Sequence, residues 1–347
     1  MKFLVVRFRQ MGDAVLATAL LNAIKLNFPD AETHFVLNDR IADLFEGHPS
    51  IDRIVRFTDD ERHKPATYLA KIWRLMRREH YDVVIDMRST VNTLPFSLFA
   101  TPFATRCIGI RKPYTVGVFR HRLPECATDC DMVTHDLHLL SPLQSLKPLN
   151  LNVGFSLHPK ADEIAACRAS LQSHGVDLRK PILMCGVVTK LRHKMWRRDY
   201  MVETLRRVLS EFPSLQLIFN YAPGVEEAEA RSMYEELGRP TQIYIDVQCP
   251  TMRSLAAMAT LCSGYFGNEG GARHIAHAVD CPSLVVVSPN VCKTIWVPQN
   301  GVKAIGIAAS DVVPAEKLAT MSYEDQFDSI SADYVWNKLK LFLAELN

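Results

Sequence analysis

The residues best suited to chemistry lie in a few short stretches set far apart in the chain. The first is Arg7-Phe8-Arg9-Gln10-Met11-Gly12-Asp13. It follows the apolar run Phe3 to Val6 and precedes an almost unbroken apolar stretch from Ala14 to Leu26. A short apolar run bounded by charges reads as a buried strand of a parallel sheet. The stretch after it reads as a helix buried on most sides. The turn between them falls at the carboxyl end of the strand, where open α/β sheets place their ligands. Asp13 therefore has two readings. It is an N-cap that satisfies an orphan N–H, or a catalytic carboxylate that takes a proton from an acceptor hydroxyl. Position 16 is Leu16, so no reciprocal capping box is present.

The second stretch is Gly267-Asn268-Glu269-Gly270-Gly271-Ala272-Arg273-His274-Ile275-Ala276. A strand that feeds a glycine turn and opens a helix makes an anion site, fitted here to a diphosphate. Gly270 and Gly271 let the backbone approach phosphate closely. His274 falls in the first turns of that helix, where a packed histidine is the ordinary case. The third stretch, Thr189 to Tyr200, carries Lys190, Arg192, Lys194, Arg197 and Arg198 just after a strand. Cations there neutralise a leaving diphosphate, or form a solvated loop. The fourth, Gly224-Val225-Glu226-Glu227, places a carboxylate at a strand end. It suits ribose hydroxyls or simply favours a helix N-terminus.

The elements that must position these residues alternate strand and helix through both halves. With 347 residues and 48% hydrophobic content, two packed domains are expected. The boundaries read as 1–150 and 151–325, with a thin segment around 143–159 as linker and a last helix in 326–347. A net charge of +2 gives no reason to expect nucleic acid as a partner. Nine cysteines in no pattern suit a reducing cytoplasm. No apolar run is long enough to span a membrane, and the start lacks a secretory signal.

Two basic groups remain. Lys71, Arg74 and Arg78 share a helix face, either solvated or touching anionic headgroups. Arg106, Arg111, Lys112, Arg120, His121 and Arg122 read as a loop that grips phosphate or sugar carboxylate, or as plain surface. Cys126, Cys130, His135 and His138 lie close in sequence, but their spacing matches no usual zinc site. Asp129-Cys130-Asp131 matches a short metal-holding pattern but follows no apolar strand. No metal and no cofactor are expected. The absence of Gly-x-Gly-x-x-Gly after any expected strand argues against a dehydrogenase.

Taken in order, the four chemical stretches resemble glycosyltransferase family 9, the ADP-heptose:lipopolysaccharide heptosyltransferases. The strand with Gly12-Asp13, the Lys194-Met195-Trp196 segment, Gly224-Val225-Glu226 and the late Gly267 to Ala276 motif all fall in register. The resemblance implies a GT-B fold: two Rossmann-like doubly wound domains facing across a cleft, with the C-terminal helix returning to the first. It implies metal-independent, inverting transfer from a nucleotide sugar, ADP-heptose or similar, to a lipid-linked saccharide acceptor. By residue it implies Asp13 as general base, Lys194 on phosphate, Glu226 on ribose, Thr189 near the phosphates, and the Glu269-Gly270-Gly271 turn with His274 around the diphosphate. Arg111, Lys112 and Arg120 are the acceptor candidates. A cytoplasmic protein with peripheral contact at the inner membrane face is expected. Glu269 stands where the family usually has Asp, and Gly270 where it has Ser or Thr. The rival readings are a non-catalytic nucleotide-sugar or glycan-binding protein and a nucleotide-sugar epimerase.

Overall fold

The structure is a computed structural model that describes residues 1–8, 10–126 and 130–346. The chain divides into two compact units, Met1–His158 and Pro159–Asn347. Each is built on one parallel sheet.

The first unit has β1 (Lys2–Val6), β2 (Glu32–Asn38), β3 (Arg53–Phe57), β4 (Val83–Asp86), β5 (Arg106–Ile110) and β6 (His121–Leu123). They pair in the order β3-β2-β1-β4-β5-β6, all parallel. The order reverses between β1 and β4, where Val6 pairs with Asp86. Such a reversal opens a crevice outside the carboxyl ends of the two strands. Phe3 to Val6 and Val83 to Ile85 are fully buried, as a sheet covered on both faces requires.

The apolar stretch after β1 is two helices rather than one, α1 (Met11–Leu16) and α2 (Thr18–Asn27). Thr18 marks the break. Its hydroxyl donates to the Val15 carbonyl at 2.7 Å and accepts from the Ser156 N–H at 3.0 Å. The basic segment expected as a loop contains β5 and β6.

The segment expected as a linker is built into the first unit up to His158. Phe155 and Leu157 are buried, and Asn22 donates to the Gly154 carbonyl at 2.9 Å. His48 holds the same segment. Its Nε2 lies 3.1 Å from the Ser156 carbonyl, and its Nδ1 accepts from the Ser50 N–H.

The second unit has β7 (Ile182–Gly186), β8 (Gln216–Phe219), β9 (Gly264–Asn268), β10 (Ser283–Val286) and β11 (Ala304–Ile307). Their order is β11-β10-β9-β7-β8, again all parallel. Here the reversal lies between β7 and β9. Gly267, at φ +147°, is the glycine that this junction demands. A Cβ on it would lie 2.3 Å from the Gly186 carbonyl oxygen. Beyond these strands, Ile243 makes one parallel bridge to Leu217.

The helix Ala332–Ala344 buries Val335, Trp336, Leu339, Phe342 and Leu343 in the core of this unit. Its buried face is thus accounted for here. A return to the first domain stays an expectation drawn from the resemblance.

Two outcomes follow from these contacts. Gly267→Ala should lower stability by about 2 kcal/mol or more, since strain and overlap act together. An unchanged denaturant midpoint would contradict the close approach. The second concerns acid. Burial and the neighbouring His158 push His48 down from its ordinary 6.5 to about 4, so the folded state favours the neutral ring. Its contribution is complete above the unfolded value and declines as pH falls from 6.5 towards 4. The loss should reach up to about 3 kcal/mol. Denaturation midpoints across that range should fall steeply for the wild type and less for His48→Asn; parallel curves would remove His48 as the cause.

Candidate active site

In the first unit the site forms at the carboxyl ends of β1 and β4. Helix α1 begins at Met11 with Gln10 as its N-cap, so Asp13 is inside the first turn and is not the cap. Asp13 is 7% exposed. Its Oδ1 lies 3.4 Å from Nη2 of Arg7, the residue directly after β1. Arg7 is itself buried, and its Nη1 lies 3.4 Å from Oδ1 of Asp136, a fully buried carboxylate. One guanidinium thus bridges two carboxylates and also donates to the Met87 carbonyl. It supplies the countercharge that carboxylates so far from water need.

Asp86, at the end of β4, shapes the other wall. Its Oδ1 accepts from the N–H groups of Arg88 and Ser89 at 3.0 and 2.7 Å. Complete burial pushes its carboxyl up to about 6 despite those bonds.

The acceptor candidates separate. Arg111 and Lys112 directly follow β5, so they share the carboxyl edge with Asp13. Arg111 is exposed, while the Lys112 ammonium donates to the Arg88 carbonyl at 3.0 Å. Arg120 precedes β6 and donates to the carbonyl of Phe103, which precedes β5. It sits at the amino side of its strand and is not brought to the edge that carries Asp13.

In the second unit the β7/β9 junction gathers the donor candidates. The Asn268 carboxamide is the centre. Its Oδ1 accepts from the Trp196 N–H at 2.7 Å, and its Nδ2 donates to the Gly186 carbonyl at 3.0 Å. Trp196 is fully buried, with its indole N–H on the Ile330 carbonyl at 2.8 Å. These bonds fix the short turn Arg192–Lys194 beside the end of β9.

Lys194 faces Glu269 closely enough for its charge to act there. Burial pushes the Glu269 carboxyl up, but the His274 hydrogen bond and the charges of His274, Arg273 and Lys194 hold it below the usual range. The His274 Nε2 to Glu269 Oε1 distance is 3.4 Å. His274 is therefore both packed and part of the cluster. Arg273 is fully buried, and burial pushes it down to about 10. The helix Gly271–His277 starts after Gly270. Gly270 has extended backbone, and a Cβ there would meet nothing within 4 Å. The turn opens into space, and conformation does not require a glycine at 270.

Among the loop cations, Arg192 pairs with Glu229, Arg198 with Glu229 and Glu236, and Arg197 with Asp199 and Asp328. Lys190 and Lys194 form no ion pair among the described residues. A pocket of about 390 Å³ at the ends of β7 and β8 brings Thr189 and Glu226 together, with Val188, Met195 and Val225 as apolar wall. Glu226 accepts from the Ala222 N–H at 3.3 Å, and the Thr189 hydroxyl donates to the Leu191 carbonyl at 2.8 Å.

The profile of glycosyltransferase family 9 (heptosyltransferase) matches residues 69–291. The chain belongs to this family. It is therefore a glycosyltransferase by descent. It is 20% identical over 293 residues to lipopolysaccharide heptosyltransferase 1 of Campylobacter coli, covering 82% of this chain and 83% of that one. Among solved structures it resembles a family 9 glycosyltransferase from Veillonella parvula, with TM-score 0.84, 15% identity and coverage of 99% and 97%. It also resembles the ADP-heptose lipopolysaccharide heptosyltransferase II of E. coli, with TM-score 0.76, 15% identity and coverage of 99% of both chains. The fold is of the GT-B type, two Rossmann-like units in one chain.

For this family 9 member, sequence reasoning missed Arg7, Asp136, Asn268 and Arg273 as site residues. Arg7 and Asn268 had a signal: each is a polar residue at the carboxyl end of an apolar strand. Asp136 had none, since it lies 129 positions from Arg7. His135, from the weighed zinc group, lies 3.3 Å from Asp136 instead. Asp129 lies outside the described residues, and Asp131 caps the helix Met132–His138 through the Thr134 N–H. Among the described residues the carboxylate–histidine group with metal-like spacing is Glu32, His34 and Glu79, and the Lys2 ammonium bonds into it.

The Asn268 clamp is testable. Asn268→Ala leaves a buried N–H and a buried carbonyl unpaired and should cost about 2 kcal/mol or more. Hydrogen exchange at the Trp196 amide should quicken more than the global change explains. Unaltered protection at that amide would refute the clamp.

Proposed function

We propose that this protein transfers heptose from ADP-heptose to a lipopolysaccharide core or related glycolipid, with inversion and without a metal. The observation that carries the reading is Asp13, held by a buried arginine at the β1/β4 reversal of a family 9 chain. The names of its relatives supply the donor and acceptor classes.

In this reading Asp13 takes the proton from an acceptor hydroxyl. The oxygen attacks the anomeric carbon from the face opposite the diphosphate. The bond from that carbon to the diphosphate oxygen breaks, and ADP leaves with the electron pair. Arg7 keeps the Asp13 carboxylate oriented as it moves. Charge grows on the leaving diphosphate, so a cation aimed there lowers the barrier more than it tightens substrate binding. Lys194 is suited because it forms no ion pair among the described residues, although its charge also acts on Glu269. The Gly270-Gly271 turn adds backbone N–H groups, and Glu226 takes the ribose in the pocket with Thr189.

Arg111 and Lys112 are the acceptor contacts retained in this proposal. Among the described residues no helix is long and apolar enough to cross a membrane. Membrane contact is assigned to exposed groups of the first unit. Trp73 is 50% exposed beside Arg74, and Phe103 is 92% exposed beside Arg120. Lys71 and Arg78 are bound to Glu61 and Glu79, which takes them out of a free basic stripe.

The test is ADP release from ADP-heptose with and without truncated lipopolysaccharide. Release that needs the acceptor supports transfer. Isomerisation without it favours an epimerase, and binding without turnover a non-catalytic protein. Asp13→Asn should lower turnover by ~10²–10⁴-fold and leave ADP affinity unchanged. Because Asp13 partners Arg7 rather than capping α1, the variant should also lose about 1–3 kcal/mol of stability. Near-normal turnover in the folded variant would end the general-base assignment.

A further inference from the structure

Asp86 ends β4 and takes no part in the transfer steps proposed above. It is fully buried, with Val6 of β1 paired on one side and Gly109 of β5 on the other. Its Oδ1 accepts from the backbone N–H groups of Arg88 and Ser89, which folds the chain into a tight turn at the carboxyl edge. Ser89 is buried in this turn at φ +50°, in the left-handed region. A residue with a Cβ is held there only where its surroundings determine it, and such residues cluster at functional sites. Glycine would relieve the strain, but glycine has no hydroxyl. The Ser89 Oγ donates to the Asp86 carbonyl at 3.1 Å and accepts from the Ile110 N–H at 2.7 Å. Gly109 leaves room for it, since a Cβ there would lie 2.7 Å from that oxygen.

The turn holds groups on both sides of it. The Tyr114 hydroxyl donates to the Ser89 carbonyl at 3.1 Å, and the Lys112 ammonium donates to the Arg88 carbonyl at 3.0 Å. Tyr114 remains 47% exposed, so its ring is tethered by the hydroxyl and still meets solvent. Towards β1, the Arg7 guanidinium donates to the Met87 carbonyl, and that of Arg88 donates to the Phe8 carbonyl at 3.3 Å. Residues 86–89 thus join the Arg7–Asp13 pair to Lys112 and Tyr114. A tethered aromatic ring and an ammonium suit a saccharide with anionic substituents. Such contacts help catalysis only when they hold the reacting hydroxyl in line with its base, because a misplacement of about 1 Å costs about 10²-fold in rate. We infer that Asp86 is a positioning residue for the acceptor, fixing Lys112 and Tyr114 relative to Asp13 through the Ser89 turn. The inference rests on the acceptor reading proposed above. It adds the residue that sets the geometry of that side.

The experiment measures ADP release by the full chain, varying truncated lipopolysaccharide and ADP-heptose separately. Asp86→Ala removes the oxygen that accepts the two N–H groups, whereas Asp86→Asn keeps one. Ser89→Gly deletes the hydroxyl and eases the backbone, so it tests the turn even if Asp86→Ala does not fold. Asp86→Ala and Ser89→Gly should raise the KM for the acceptor about tenfold and leave the KM for ADP-heptose unchanged. Asp86→Asn should bring the acceptor KM back to within about twofold of the wild type. A merely structural loss would move both KM values or neither. An unchanged acceptor KM in Ser89→Gly, equal changes in both KM values, or Asp86→Asn as impaired as Asp86→Ala would overturn the positioning role alone. If ADP release by the wild type ignores the acceptor, the acceptor reading falls and takes the positioning role with it.

Discussion

The second unit depends on one carboxamide. Asn268 joins three segments that sequence alone would leave apart: the end of β7, the end of β9 and the chain entering Trp196. A side chain can do this only where two strands reverse order, because only there do their carboxyl ends diverge enough to admit it. Gly267 allows the approach, since any Cβ would overlap the Gly186 carbonyl. Lys194, in no ion pair among the described residues, is thereby placed where its charge acts on a buried carboxylate, Glu269. Neither residue alone would be a site. The clamp brings them together.

The first unit solves the same problem with charge. Arg7 stands just after β1, as Asn268 ends β9. Each is a polar group forced into a buried position by the strand before it, and each must find partners there. Arg7 finds Asp13 and Asp136. An amide would not suffice in its place, because two buried carboxylates need a positive charge between them. The two units thus share a design, a polar residue at a strand end that organises the reversal point, and differ in the chemistry it confers.

Much of this was legible in sequence, for physical reasons. Phe3 to Val6 and Ile182 to Gly186 are buried on both faces, and such strands read as unbroken apolar runs. What escaped was either weakly patterned or long-range. Ala304-Ile305-Gly306-Ile307 forms β11 although Ala and Gly are poor strand residues, because β10 beside it supplies the pairing. Arg106-Cys107-Ile108-Gly109-Ile110 was hidden by the basic residues around it. Gly270 misled in the other direction. Two adjacent glycines suggested a backbone need, yet the position that needs one is Gly267. The identity of Asp13 as a buried ion-pair partner lay wholly in tertiary structure.

Gly270 and Glu269, the two departures from the family pattern, differ in what they do to the turn. Gly270 has extended backbone with open space where a side chain would point, so Ser or Thr would fit there without strain. The glycine therefore changes what the turn presents to the space in front of it and leaves the turn itself alone. Glu269 differs in kind. Its extra methylene carries the carboxylate to His274, where hydrogen bonding and the nearby charges of Arg273 and Lys194 hold its pKa below the usual range despite burial. A shorter Asp would have less reach to that partner. The charge at this point is thus tied to His274 and Arg273 behind the turn as well as to Lys194 beside it. The two departures act on opposite sides of the same turn. One frees its outer surface, and the other fastens its inner one to the helix that follows.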